Sequence, residues 1–93
     1  MERAEDTIVV LFRADRRDGE VFALFPELEE DGGRCTIYVS VSVGGHTAGR
    51  YGANIDISRP ATEVEYAPLK TELERLGYKL VVRQHWTRPR RAL

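Results

Sequence analysis

Two runs of consecutive apolar residues, Ile8 to Phe12 and Val21 to Phe25, most constrain what this chain can become. The first lies in "TIVVLFR", rich in β-branched and aromatic residues, and is followed by "ADRRDG", whose Asp18-Gly19 pair is a turn signal. "EVFALF" then resumes the apolar pattern, so the segment predicts a hairpin. A strand that is apolar at successive positions keeps no face for water, which suits the interior of a sheet better than its edge. The second strand is expected to stop at Pro26, because proline donates nothing to a ladder.

After the acidic connection "PELEEDGG", the stretch "RCTIYVSVSVGG" alternates cleanly. Cys35, Ile37, Val39, Val41 and Val43 share one face, and Thr36, Tyr38, Ser40 and Ser42 share the other, which predicts a strand with one dry and one wetter side. The glycines of "VGGHTAGRYG" follow that strand and lead into "ANIDIS", with no helix start at hand and no Gly-Lys-Ser/Thr ending. A phosphate-binding loop needs that context, so Gly44 and Gly45 are expected to be turn residues with His46 at the tip. Ile55 and Ile57 share a strand face, which makes "ANIDIS" a short fourth strand or an extended edge.

"RPATEVEYAPLKTELERLG" carries a helix. Thr62 and Glu65 have capping-box spacing, Tyr66, Leu69, Leu73 and Leu76 recur along one helical face, and Gly77 stands where a left-handed cap ends a helix. Pro68 conflicts with a long regular helix, so either the helix begins near Ala67 or its first turn is distorted. "YKLVVRQHW" reads as a last strand, and the tail Thr87–Leu93 has too few apolar groups to pack and is expected to be mobile. The predicted fold is a single α+β domain over residues 1–93. It is an antiparallel sheet of about four to five strands, ordered β-β-β-(β)-α-β, with one helix packed on one face.

A net charge of −1 excludes a protein whose whole surface is a nucleic-acid footprint, yet the charge is uneven. Residues 1–33 hold ten carboxylates against four arginines, and residues 77–93 hold five basic groups and no acid. The single cysteine, Cys35, cannot close an internal disulfide and falls in phase with inward-facing valines, which predicts a buried inert thiol. With only two histidines, His46 and His85, beside it, no structural metal site and no cofactor are expected. No apolar run reaches the length of a membrane span and "MERAEDT" lacks a signal-peptide layout, so a cytoplasmic location without membrane contact is expected.

Two groups of residues carry the binding expectations. Glu27, Glu29, Glu30 and Asp31 crowd a turn and form either a solvated loop or an acidic docking patch; with His46 and Arg50 of the glycine-rich segment they are the candidate protein-binding residues. In "RQHWTRPRR", Arg83, Trp86, Arg88, Arg90 and Arg91 set arginines beside an aromatic, a combination that contacts phosphates and stacks on bases. The alternative is a solvating tail with Trp86 closing the end of the core. No coherent catalytic set emerges, so no enzyme is expected; a non-enzymatic protein-binding module comes first, and pairing of exposed strand edges into a homodimer is also open.

Through "FRADRRDGEVFALFPEL", the cysteine strand up to His46 with two residues of its Val-Ser repeat removed, and "RPATEVEYAPLKTELERLGYKLVV", the chain resembles a group of small uncharacterised bacterial and phage-associated proteins. The resemblance implies an origin in phage or mobile elements and no particular reaction; a phage-encoded inhibitor of a host defence system is compatible with it. Phe25-Pro26-Glu27-Leu28 is also similar to a sequence in HicB-like antitoxins, whose partial RNase H-type fold has three strands, a helix and a strand. That similarity implies an antitoxin or nucleic-acid-binding role.

Overall fold

A computed structural model describes residues 6–29, 34–39 and 46–86. In chain order the elements are β1 (Ile8–Asp15), β2 (Val21–Glu29), β3 (Arg34–Tyr38), β4 (His46–Arg50), α1 (Tyr51–Asp56), β5 (Ser58–Pro60), α2 (Glu63–Arg75) and β6 (Leu80–Val82). The fold is α+β, built on one sheet of order β4-β3-β2-β1-β5. Its neighbouring strands are antiparallel, except that β6 joins β1 in parallel. The strands β5 and β6 share the same edge of β1, β5 covering Arg13–Asp15 and β6 covering Ile8–Val10. No helix among the described residues is long and apolar enough to cross a membrane.

The consecutive apolar residues of β1 and β2 are explained by a core on each side of the sheet. Val10, Phe12, Ala14, Ala23, Phe25 and Tyr38 pack under Leu69 and Leu73 of α2. On the opposite side Val9, Leu11, Phe22, Leu24, Cys35 and Ile37 pack under Tyr51 and Ile55 of α1 and under Trp86. The hairpin between β1 and β2 turns as expected at Asp18-Gly19, where Gly19 has φ +75°, a conformation that favours glycine.

Four sequence-based expectations are corrected. The strand β2 does not stop at Pro26: it advances from Phe25 to Glu29 while its partner positions on β3 move only from Thr36 to Cys35. Pro26 is buried in this bulge, where its missing N–H costs no ladder bond. "ANIDIS" is no strand, because Tyr51 and Ile55 stand four apart and both turn toward the second core, which makes Tyr51–Asp56 helical and leaves Ile57 43% exposed. Among the described residues the sheet is therefore flanked by two helices, not one, and has six strands. Of the residues read as the wetter face, Thr36 and Tyr38 are buried too, and Ser40 and Ser42 lie outside the described residues; Tyr38 is 1% exposed, and its hydroxyl donates to the Glu72 carboxylate. Burial, reinforced by Glu72, pushes the Tyr38 phenol up to about 12.

The start of α2 is built by the residues "RPATEVEY". Thr62 accepts from the Glu65 N–H while the Glu65 carboxylate accepts from the Thr62 N–H, a complete capping box. Arg59 grips the same carboxylate with both terminal nitrogens, at 2.8 and 2.6 Å. Ala61 is buried and donates to the Phe12 carbonyl, and the Tyr66 ring stacks on Phe12 with centroids 4.4 Å apart. The helix runs unbroken through Pro68. The carbonyl that Pro68 deprives of a partner belongs to Val64, which is 87% exposed, so water can take the place of the lost N–H. At the other end Gly77, with φ +105°, donates to Glu74, and Tyr78 donates to Leu73. This is the bond pattern of a glycine-terminated helix.

Two predictions follow from this packing. Leu73→Ala is expected to cost about 2–5 kcal/mol and Leu76→Ala less than about 1 kcal/mol, although both fall on one helical spacing, because Leu73 is buried and Leu76 is 52% exposed. Urea unfolding of the two variants checks this, and equal losses would contradict the packing described. Arg59 first, then the Thr62 N–H, lowers the Glu65 carboxyl from 4.5 to about 2. A depressed folded pKa adds stability that is full above 4.5 and fades as pH falls toward about 2. Glu65→Gln should thus flatten that stretch of the stability–pH curve and leave its shape unchanged above it, as read from unfolding midpoints across the range.

Candidate functional site

Two of the acidic candidates lie in a strand and not in a turn. Glu27 and Glu29 belong to β2, and Glu30 and Asp31 lie outside the described residues. The Glu27 carboxylate accepts from the Val9 N–H at 3.5 Å and lines a cleft of about 400 Å³ between the β2 bulge and the Gly77–Lys79 turn. Glu29 pairs with Cys35, and Cys35 with Gly49, so the register sets Glu29, Cys35 and Gly49 in one row across three strands.

His46 and Arg50 are brought onto one element. They open and close β4, opposite Tyr38 and Arg34. His46 therefore sits in a strand and not at a turn tip; the backbone of β3 supplies the pairing that "HTAGR" does not advertise by alternation. A glycine at position 49 leaves room there: a Cβ would lie 2.5 Å from Cδ1 of Ile37 and 2.8 Å from Nδ2 of Asn54, and those side-chain ends would have to move. The close approach lets α1 fold back against the strand it leaves.

The seat of α1 was not legible as a site. Arg13, at the end of the apolar run of β1, is 6% exposed. Its Nε donates to Ser58 Oγ at 2.9 Å, and its Nη2 donates to the carbonyls of Ser58 and Ile55 at 2.8 and 3.1 Å. Arg16 Nε donates to the same Ser58 carbonyl at 3.1 Å. The guanidinium thus meets backbone oxygens at the end of α1, where the helix dipole is negative, and burial lowers its pKa. Asp15, next along the strand, is taken by Arg17, which holds its carboxyl at about 2. An arginine closing an apolar strand is the only trace of this arrangement in the sequence.

Of the basic candidates, Arg83 is exposed just past β6 and its backbone N–H donates to the Val10 carbonyl at 2.9 Å. Trp86 is half-buried against Tyr51, edge to face at 5.4 Å, and its carbonyl accepts from the Tyr51 hydroxyl. Arg88, Arg90 and Arg91 lie outside the described residues. Cys35 is buried, and no group of three metal-ligating side chains occurs among the described residues.

These placements leave the two ends of the sheet unlike one another. At the β1 end the outer strands are three residues each, and β5 carries Pro60. Short strands and proline are standard ways to blunt an edge. At the other end β4 pairs with β3 over all five of its residues, contains no proline, and has no strand on its outer side among the described residues. Comparison with protein-family models, with curated proteins and with solved structures finds no match to this chain.

Arg13→Lys keeps the charge but replaces a fork by a single ammonium, which cannot span Ser58 and Ile55 together. It is expected to cost about 2 kcal/mol and to speed amide exchange in α1 while leaving α2 protected. Hydrogen exchange followed by NMR checks this; unchanged exchange in α1 would remove Arg13 as its anchor.

Proposed function

We propose that this chain is a non-enzymatic protein-interaction module that captures an extended segment of another protein along β4. The observation that supports this reading is the contrast between the blunted β5–β6 end of the sheet and the edge of β4, which is proline-free and has no further strand beside it among the described residues. Strand addition to such an edge draws affinity from main-chain hydrogen bonds and specificity from alternate side chains. The edge is also backed by the full register to β3 and by α1, which Arg13 holds through the Ile55 carbonyl. A preformed edge loses little order on binding. The candidates His46 and Arg50 terminate this strand, whereas Glu27 lies over β1 and belongs to another surface.

A phage-encoded inhibitor of a host defence system would work through the same edge, by occupying a strand position or groove of its target. For the nucleic-acid reading, the Trp86 ring packs edge to face against Tyr51 while remaining half-buried, and Arg83 is exposed.

Photo-crosslinking tests the proposal. A crosslinker at exposed Thr47 on β4 should capture a protein partner in cells producing the chain, and one at exposed Val64 on the outer side of α2 should not. Adducts of equal yield at both positions, or adducts at Val64 alone, would move the binding surface away from β4.

A further inference from the structure

A cavity of about 230 Å³ opens on the side of the sheet that carries α1. Phe22 and Ile37, both buried, form its floor, and half-buried Val39 and exposed Ile57 continue the apolar surface toward solvent. Pockets for drug-sized molecules usually measure about 300–1,000 Å³, so this one has room for a single side chain. Thr47 of β4 and Asn54 of α1 also line it.

Among the described residues two carboxylates and no basic group line the cavity. The Asp15 carboxylate is taken by Arg17 at 2.8 Å, whereas Glu20 is exposed and makes no ion pair among the described residues. An occupant that matches both features has an apolar stem for Phe22, Ile37 and Ile57 and a positive end for Glu20. Lysine is such a side chain, with a carbon stem that covers apolar surface and an ammonium that stays at the edge of the water. Its separate donors suit acceptors on different residues, here the Glu20 carboxylate, the Thr47 hydroxyl and the amide oxygen of Asn54, whose nitrogen is already given to the Arg50 carbonyl. The planar fork of an arginine favours the paired oxygens of one group instead.

We infer that this cavity receives a lysine side chain of a protein partner, its stem against Phe22, Ile37 and Ile57 and its ammonium at Glu20. The inference rests on the reading of the chain as a protein-binding module and adds the chemistry of one anchoring residue. Thr47 belongs both to β4 and to the lining of the cavity, so the two surfaces adjoin. A second copy of this chain fits less well. It offers only two lysines, and each is already paired, Lys70 with Glu74 and Lys79 with Asp6.

The test titrates three five-residue peptides, identical except for a central lysine, norleucine or glutamate, into protein carrying ¹³C-labelled isoleucine methyls. The lysine peptide is expected to shift the methyls of Ile37 and Ile57 and to bind about three- to fivefold more tightly than the norleucine peptide, with glutamate weakest. Glu20→Gln, which removes no contact made within the fold, should bring lysine down to norleucine. Ile57→Ser, at an exposed position, should weaken both. Equal binding of lysine and norleucine, unaffected by E20Q, would overturn the inference and leave an apolar pocket beside β4. Silence of both methyls with every peptide would overturn it as well. If a crosslinker at Thr47 nevertheless captures a partner, only the lysine anchor falls; if it captures none, the binding-module reading falls with it.

Discussion

Every layer of this fold is tied to β1. Five consecutive apolar residues, Ile8 to Phe12, cannot lie at a surface, and in an extended strand they alternate between two sides. The sheet must therefore be covered twice, and in a chain of 93 residues neither cover can be large. The solution is unequal. One cover is a thirteen-residue helix, capped at both ends and stacked on Phe12 through Tyr66. The other is a six-residue helix plus Trp86. A helix of six residues has almost no stability of its own, so it must be held by its surroundings.

That requirement accounts for Arg13. A buried guanidinium is costly unless its donors are met, and here they are met by the Ser58 hydroxyl and by carbonyl oxygens at the end of α1 and the start of β5. The charge and the helix end satisfy one another. Because Arg13 is on β1, the same strand that dictates two covers also fastens the weaker one. Through α1 this fastening reaches β4, since Gly49 and Asn54 are in close approach and Asn54 returns a hydrogen bond to the Arg50 carbonyl at 2.8 Å.

What was legible in the sequence is what local chemistry decides. The capping box of Thr62 and Glu65, the glycine stop at Gly77 and the turn at Asp18-Gly19 each need only residues within a few positions. The residues most distinctive in the chain, Arg59 to Tyr66, are consumed by the same local task of starting α2 on β1. What was missed depends on distant partners. Pro26 continues in a strand because β3 tolerates a bulge there. Tyr38 turns from a wet face to a buried one because Glu72, far along the chain, waits to accept its hydroxyl. Ile55 was read with Ile57 as a strand face, when its true partner is Tyr51, one helical turn earlier. For β4 the residues "HTAGR" have no pattern of their own; their strand is imposed by β3. The candidate site shares this property, since the opposition of Arg34 and Arg50 is a fact of register.

An edge strand without pattern is informative in its own right. A strand that serves only to cover a core reads as alternating apolar residues, and a strand that serves only to end a sheet is shortened, charged along its length or interrupted by proline. The strand β4 does neither: its centre is Thr47, Ala48 and Gly49, small and uncharged, and its one described charge sits at the end beside a second arginine. At the opposite end of the sheet the chain does use the blunting devices, in Pro60 and in the brevity of β5 and β6. Among the described residues the two ends of the sheet thus differ, one finished by two three-residue strands and a proline and the other by a five-residue strand without proline.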